Sequence, residues 1–189
     1  MTASDVLQLF REAGALLEGH FLLSSGLHSN RYLQSALVLQ HPASAARLGE
    51  AVAQQARALR PTVVLSPALG GIVIGHEAAR ALGVRAIFAE RQDARLALRR
   101  GFTLSADDRV LVVEDVITTG GSTRETMDVA TAAGATVVGA ASIIDRGTQE
   151  NRLSVPLVPL VKLDVPVYPP ESCPICASGE PVVKPGSRK

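Results

Sequence analysis

Apolar residues recur along this chain with two different spacings, and the change between them divides it. Between residues 4 and 18, Val6, Leu9, Phe10, Ala13, Leu16 and Leu17 share one side of a 3.6-residue period, which predicts an amphipathic helix with Ser4 as its N-cap. Small polar residues at 22–31 read as a loop, 32–39 as extended chain, and 44–60 as a second helix that Pro61 ends. From Thr62 onward, short and wholly apolar runs alternate with helical segments. Residues 63–65, 84–89, 109–115 and 136–144 predict strands, while 71–82 and 122–133 predict helices stopped by Gly83 and Gly134. Strands without polar alternation are covered on both faces. The pattern therefore predicts an α/β fold with a mostly parallel sheet between helical layers. Ligands in such sheets bind outside the carboxyl ends of the strands, which directs attention to the loops at 66–71, 90–101 and 114–122.

Composition narrows the class. At 189 residues, one domain spanning 1–189 is expected, large enough to bury a core. A hydrophobic content of 47% argues against disorder. With 19 basic and 18 acidic residues, the chain has no general attraction for nucleic acid or an anionic membrane. Aromatic residues make up 3% and Trp is absent, which argues against stacking platforms for single strands. The uncharged stretch 129–144 runs only sixteen residues and contains Gly134 and Gly139, too short for a membrane span. Asp5, Arg11, Glu12 and Glu18 interrupt any signal-peptide core, so a cytoplasmic location is expected.

The segment from 114 to 123 carries the most chemistry. A hydrophobic strand delivers Glu114 and Asp115 side by side. Val116, Ile117, Thr118, Thr119, Gly120, Gly121, Ser122 and Thr123 then lead straight into a helix. Glycines and small hydroxyl residues let successive backbone N–H groups converge on an anion, helped by the positive end of the helix. Carboxylates repel a phosphate, so Glu114 and Asp115 suit hydroxyl groups or developing positive charge. A sugar phosphate satisfies both halves. The P-loop, the G-x-G-x-x-G fingerprint and the G-x-S-x-G elbow are all missing from the sequence.

This segment resembles the ribose-phosphate loop of the type I phosphoribosyltransferases, which bind 5-phosphoribosyl 1-diphosphate (PRPP). The run 23–29 with Tyr32, the run 67–71, and Ile144, Asp145 and Arg146 narrow the resemblance to the orotate branch of that family. The likeness extends over nearly the whole chain, in the family's order. It implies the type I phosphoribosyltransferase fold, with residues 1–40 and the C-terminal tail forming a hood over the core. It also implies Mg²⁺-dependent transfer of a phosphoribosyl group from PRPP to orotate in pyrimidine biosynthesis, by a homodimer whose lid arginines reach the partner's site. Purine-type transfer and a noncatalytic PRPP-sensing regulator on the same fold are the alternatives.

Carried onto this chain, the resemblance places Glu114 and Asp115 at the ribose hydroxyls. Val116 and Ile117 would belong to the PRPP-binding loop, and Thr118, Thr119, Gly120, Gly121 and Ser122 would cradle the 5-phosphate. Gly70 and Gly71 would admit the diphosphate, although two glycines here equally serve to open a helix. Thr118, Arg146 and Tyr32 would contact orotate: Arg146 with its planar fork of donors, Tyr32 over the base unless it is simply core. No protein cage for the metal is implied, because Mg²⁺ would be held through the substrate. Residues 90–102 resemble the mobile lid that brings cations to the diphosphate. Arg91, Arg95 and Arg99 are spaced four apart and equally suit a solvated helix face.

The chain departs from better-known members in two ways. It has no Lys before Lys162, with Ser24 where the loop Lys would fall, and its lid lacks His. Cationic catalysis then rests on arginine, with Arg91 the leading candidate. His28 reads as a solvated loop residue, and His20, His41 and His76 lack metal-ligand spacing with each other or with a cysteine. Cys173 and Cys176 offer only half of a four-ligand zinc site, which neighbouring copies in an oligomer could complete, and read instead as reduced thiols in a tail turn. The basic tail at 184–188 has no derived role.

Overall fold

The computed structural model of the chain describes residues 1–23, 25–147 and 153–185. The first helix, α1 (Ala3–Glu12), is shorter than its apolar period predicts. Thr2 rather than Ser4 caps it. The Thr2 hydroxyl accepts from the Asp5 N–H at 3.2 Å, and the Asp5 carboxylate accepts from the Thr2 N–H at 2.7 Å. Gly14, at φ +63°, turns the chain, and the expected last helical turn instead opens β1 (Leu16–Leu22). That strand pairs antiparallel with β2 (His28–Leu33), so the stretch 22–31 is mostly hairpin rather than loop. The extended chain expected at 32–39 is half helical, as α2 (Ser35–Leu39). Next comes α3 (Pro42–Ala56), which tightens into a 3₁₀ turn before Pro61.

The alternating part follows closely the elements expected of it. It comprises β3 (Val63–Pro67), α4 (Gly70–Leu82), β4 (Arg85–Gln92), β5 (Arg95–Leu98), β6 (Arg109–Ile117), α5 (Gly121–Ala132) and β7 (Thr136–Asp145). The C-terminal part adds β8 (Leu157–Lys162), β9 (Val167–Tyr168) and a one-turn α6 (Pro174–Ala177). Six strands form one sheet in the order β5-β4-β3-β6-β7-β8, parallel except for β5. Pro159 sits in β8, an edge strand, where its missing N–H is tolerated. A second, antiparallel sheet of order β1-β2-β9 joins the two ends of the chain.

Alternate residues of the central strands feed two cores. Val64, Leu111, Val113, Ala141 and Ile143 pack with Leu48 and Val52 of α3 and Ile74 and Ala78 of α4. Val63, Leu65, Val110, Val112 and Ala140 pack on the other face with Met127 and Ala130 of α5. Each fully buried Val, Leu or Ile contributes roughly 1.5–3 kcal/mol. The strand order reverses between β3 and β6: β3 continues through α4 to β4 on one side, β6 through α5 to β7 on the other. That reversal opens a crevice at the carboxyl ends of β3 and β6.

Candidate active site

The crevice exists because β3 stops pairing early. Its register with β6 ends at Leu65↔Val112, whereas β6 runs on to Ile117 beside β7. Two helices begin at this edge, α4 behind Leu69 and α5 behind Gly120, and neither N-cap supplies a side-chain hydrogen bond. The α1 start, by contrast, is closed by its Thr2–Asp5 box. Uncapped first turns present backbone N–H groups and the positive dipole end to an anion. Gly120 holds φ +76°, a left-handed conformation that a side chain disfavours, so the turn into α5 depends on that glycine.

Consecutive strand residues point to opposite faces, and this separates the two acids. Glu114 follows Val110 and Val112 towards α5. It is 6% exposed and accepts from the Ser122 hydroxyl at 2.7 Å and, through its other oxygen, from the Thr123 hydroxyl. Burial raises its carboxyl above the ordinary 4.5, against the opposing pull of those two hydroxyls, and the Asp115 charge adds to the rise. Asp115 follows Leu111 and Val113 towards α4 and is only half-buried. A Cβ built on Gly70 would lie 2.8 Å from its Oδ1. Gly70 therefore leaves room for the Asp115 carboxylate, and Gly71 lets α4 start against the sheet, where a Cβ would meet the Val113 carbonyl at 2.8 Å. Both glycines thus answer to close protein neighbours as well as opening a helix.

The remaining expected residues fall as follows. Thr118 and Thr119 are exposed on the loop, Ile117 is buried behind it, and Val116 is half-buried. Arg146 leaves the end of β7, and its N–H donates to the Ile117 carbonyl at 2.8 Å. Its Nε is buried without a hydrogen-bond partner among the described residues, and burial lowers its pKa. An orphaned donor of this kind, beside the carboxyl end of β6, suits an anionic or carbonyl ligand. Tyr32 lies in the small sheet, its ring 5.9 Å from that of Phe21 and its hydroxyl 3.4 Å from Gln34 Oε1. Ser24 lies outside the described residues, as do 186–188 of the tail.

Segment 90–101 is neither a plain loop nor a helix face. β4 continues through Gln92 and turns back into β5, with Asp93 and Ala94 at φ +48° and +69°. The Arg91 guanidinium grips both carboxylate oxygens of Glu125 on α5, at 3.2 and 3.0 Å, and donates to the Ala94 carbonyl. The Leu96 N–H also donates to Glu125 at 2.7 Å, and this bond, with Arg91, holds the Glu125 carboxyl below its usual range. Nothing in the spacing of the chain links Glu125 to Arg91, because the contact joins a hairpin to a helix 34 residues away. Arg99 and Arg100 turn back onto Glu90. Arg95 forms no ion pair among the described residues.

Two expectations about histidine and cysteine are overturned. His28 is not solvated but buried, and His20 and His28 meet Cys173 and Cys176 in one cluster, His20 Nε2 lying 2.8 Å from His28 Nδ1. The spacing along the chain hid this, because strand pairing and the return of the tail bring the four together. The crevice differs: among the described residues it holds no group of three or more His, Cys, Asp or Glu that could ligate an ion. Asp115 alone offers a half-open carboxylate there, while the two helix N-termini favour anions, so the residues present suit a cation that arrives bound to an anionic ligand.

The phosphoribosyl transferase domain family matches residues 35–158. The chain is 54% identical to the orotate phosphoribosyltransferase of Carboxydothermus hydrogenoformans and 50% identical to that of Pelotomaculum thermopropionicum, each match covering 100% of both chains. Among solved structures, the orotate phosphoribosyltransferase of Aeropyrum pernix aligns with a TM-score of 0.67 at 31% identity, over 84% of this chain and 93% of that one. The Mycobacterium tuberculosis enzyme in complex with PRPP shares the fold, with a TM-score of 0.67 at 23% identity over 85% and 96% of the two chains.

Proposed function

The chain belongs to the phosphoribosyl transferase domain family, and from that premise we propose that it transfers the 5-phosphoribosyl group of PRPP to N1 of orotate. The products are orotidine 5′-monophosphate and diphosphate, a step of pyrimidine biosynthesis. The full-length identity to orotate phosphoribosyltransferases supports orotate as the acceptor. The observation that carries the reading is the β6–α5 junction, where an acidic strand end meets an uncapped, glycine-entered helix at the point of strand reversal.

The bond from ribose C1 to the diphosphate oxygen breaks as positive charge builds on the sugar ring. Asp115, on the open side of β6, faces the ribose hydroxyls. Glu114 keeps lone pairs for the ribose while anchoring the first turn of α5, so both carboxylates lower the energy of a cationic ring. N–H groups from Thr118 to Ser122 hold the 5-phosphate. The start of α4 at Gly70 and Gly71 receives the diphosphate. Arg146 and Thr118 orient orotate, whose ring is already anionic in water and needs little activation, and Tyr32 closes over it. Asp115 would help position a Mg²⁺ ion bound mainly through the substrate's own oxygens, and that ion would supply charge neutralisation for the departing diphosphate. The small β1-β2-β9 sheet serves as the hood. The working unit is a cytoplasmic homodimer, in which lid arginines, Arg91 first among them, reach the partner's diphosphate.

The test is direct. With Mg²⁺, PRPP and orotate, the orotate absorbance falls and diphosphate accumulates. Turnover of hypoxanthine or adenine but not orotate would move the chain to a purine branch. PRPP binding with no turnover of any base would make it a sensor.

A further inference from the structure

The small sheet encloses four side chains that the phosphoribosyl chemistry does not use. His20 lies on β1, His28 opens β2, Cys173 precedes α6 and Cys176 lies within it. Each offers one ligand atom, and the four atoms lie within 4.8 Å of one another. Cys173 Sγ and Cys176 Sγ are 3.6 and 3.7 Å from His20 Nε2, and Cys176 Sγ is 3.3 Å from His28 Nδ1. We propose that these four residues bind one Zn²⁺ ion in a tetrahedral Cys₂His₂ site that fastens the C-terminal tail to the β1–β2 hairpin.

Three features carry this. The first is size: metal bonds of about 2.0–2.3 Å give a tetrahedron with six edges of about 3.3–3.8 Å, and the three spacings above fall in that range. A fourth, 2.8 Å between the two ring nitrogens, needs only a small opening. A two-iron cluster divides its ligands between two metals and needs wider separations than these. The second is the tautomer. His20 Nδ1 lies 2.7 Å from the Glu180 carbonyl, which only accepts, so the proton sits on Nδ1 and the lone pair of Nε2 faces the cluster. A ligating histidine that donates its other N–H to a carbonyl is the usual outer-shell arrangement of a zinc site. The third is redundancy of support. β1 meets the tail again where the Leu22 N–H donates to the Val183 carbonyl and the Val183 N–H to the His20 carbonyl, each at 2.8 Å. With soft sulfur and imidazole donors and no open position, the site suits a structural zinc rather than a reacting one.

The proposal does not depend on the identity of the base. The experiment uses the full reduced chain. Elemental analysis of the purified protein should find close to one zinc per chain. After metal removal, Co²⁺ should give the intense visible bands of tetrahedral thiolate coordination, which Zn²⁺ then displaces. Cys176 is exposed, so Cys176→Ser should fold, lose those bands in part and weaken zinc binding by more than the ~10–100-fold typical of an outer-shell change. Zinc should raise the Tm of the wild type and leave that of Cys176→Ser nearly unmoved. A reduced chain that neither carries nor takes up zinc, a variant that binds as tightly as wild type, or a Cys173–Cys176 disulfide in the native protein would each overturn it.

Discussion

The crevice and the small sheet place functional side chains by opposite means. At the crevice, polar groups stand at the tips of strands whose apolar bodies are buried on both faces, so the scaffold rests mainly on apolar packing. In the small sheet, β9 offers two residues of pairing, and two histidines and two cysteines cluster where the tail meets the β1–β2 hairpin. There the polar residues themselves do the fastening. Polar changes at the crevice should therefore cost rate rather than stability, and those in the small sheet the reverse.

The sharpest test is Asp115→Asn. Removing one preorganised electrostatic contact should lower kcat ~10²–10³-fold while Tm hardly moves; a parallel collapse of Tm would break the contrast. Next is Gly71→Ala, which probes the scaffold beneath the crevice. Its new Cβ would lie 2.8 Å from the Val113 carbonyl, an overpacking expected to cost ~1–3 kcal/mol in denaturant melts. Ser29→Ala probes the other region. The buried Ser29 hydroxyl donates to the Pro166 carbonyl at 2.9 Å and ties β2 to the tail. Its loss should cost ~0.5–1.5 kcal/mol and raise the KM for orotate more than it lowers kcat.

The smallest effect is a slope. As pH rises past the ordinary 4.5, Glu114 holds its proton longer in the folded chain than in the unfolded one. Stability from this group is therefore complete below the ordinary 4.5 and declines as pH rises through the higher folded value. Glu114→Gln should flatten that decline in Tm measured across the weakly acid range. An unchanged slope would mean the carboxyl is not buried against Ser122 and Thr123.

What could be read from the chain divides along the same line. Apart from β5, the segments from β3 to β7 are legible because unbroken apolar runs and stop signals at Gly83 and Gly134 are local features, and the acidic strand end runs straight into its glycines. The N-terminal helix was overextended: Leu16 and Leu17 continue its apolar period, and only pairing with Leu33 and Tyr32 makes them strand. The β4–β5 hairpin was missed because its turn uses Asp93 and Ala94 at positive φ, without the glycine that ordinarily announces it. Opposed orientations of Glu114 and Asp115 follow from strand alternation, yet adjacency in the sequence hides that they leave the strand on different faces. His20 and His28 stand more than 140 residues from the cysteines, so only the folded chain joins them.

That joining spans very different stretches of chain. β1 and β2 meet as neighbours, whereas β9 and Val183 return to them across more than 130 residues. Closing so long a loop is entropically costly until the intervening sheet has drawn the chain together, so β9 is expected to dock last and to peel away first.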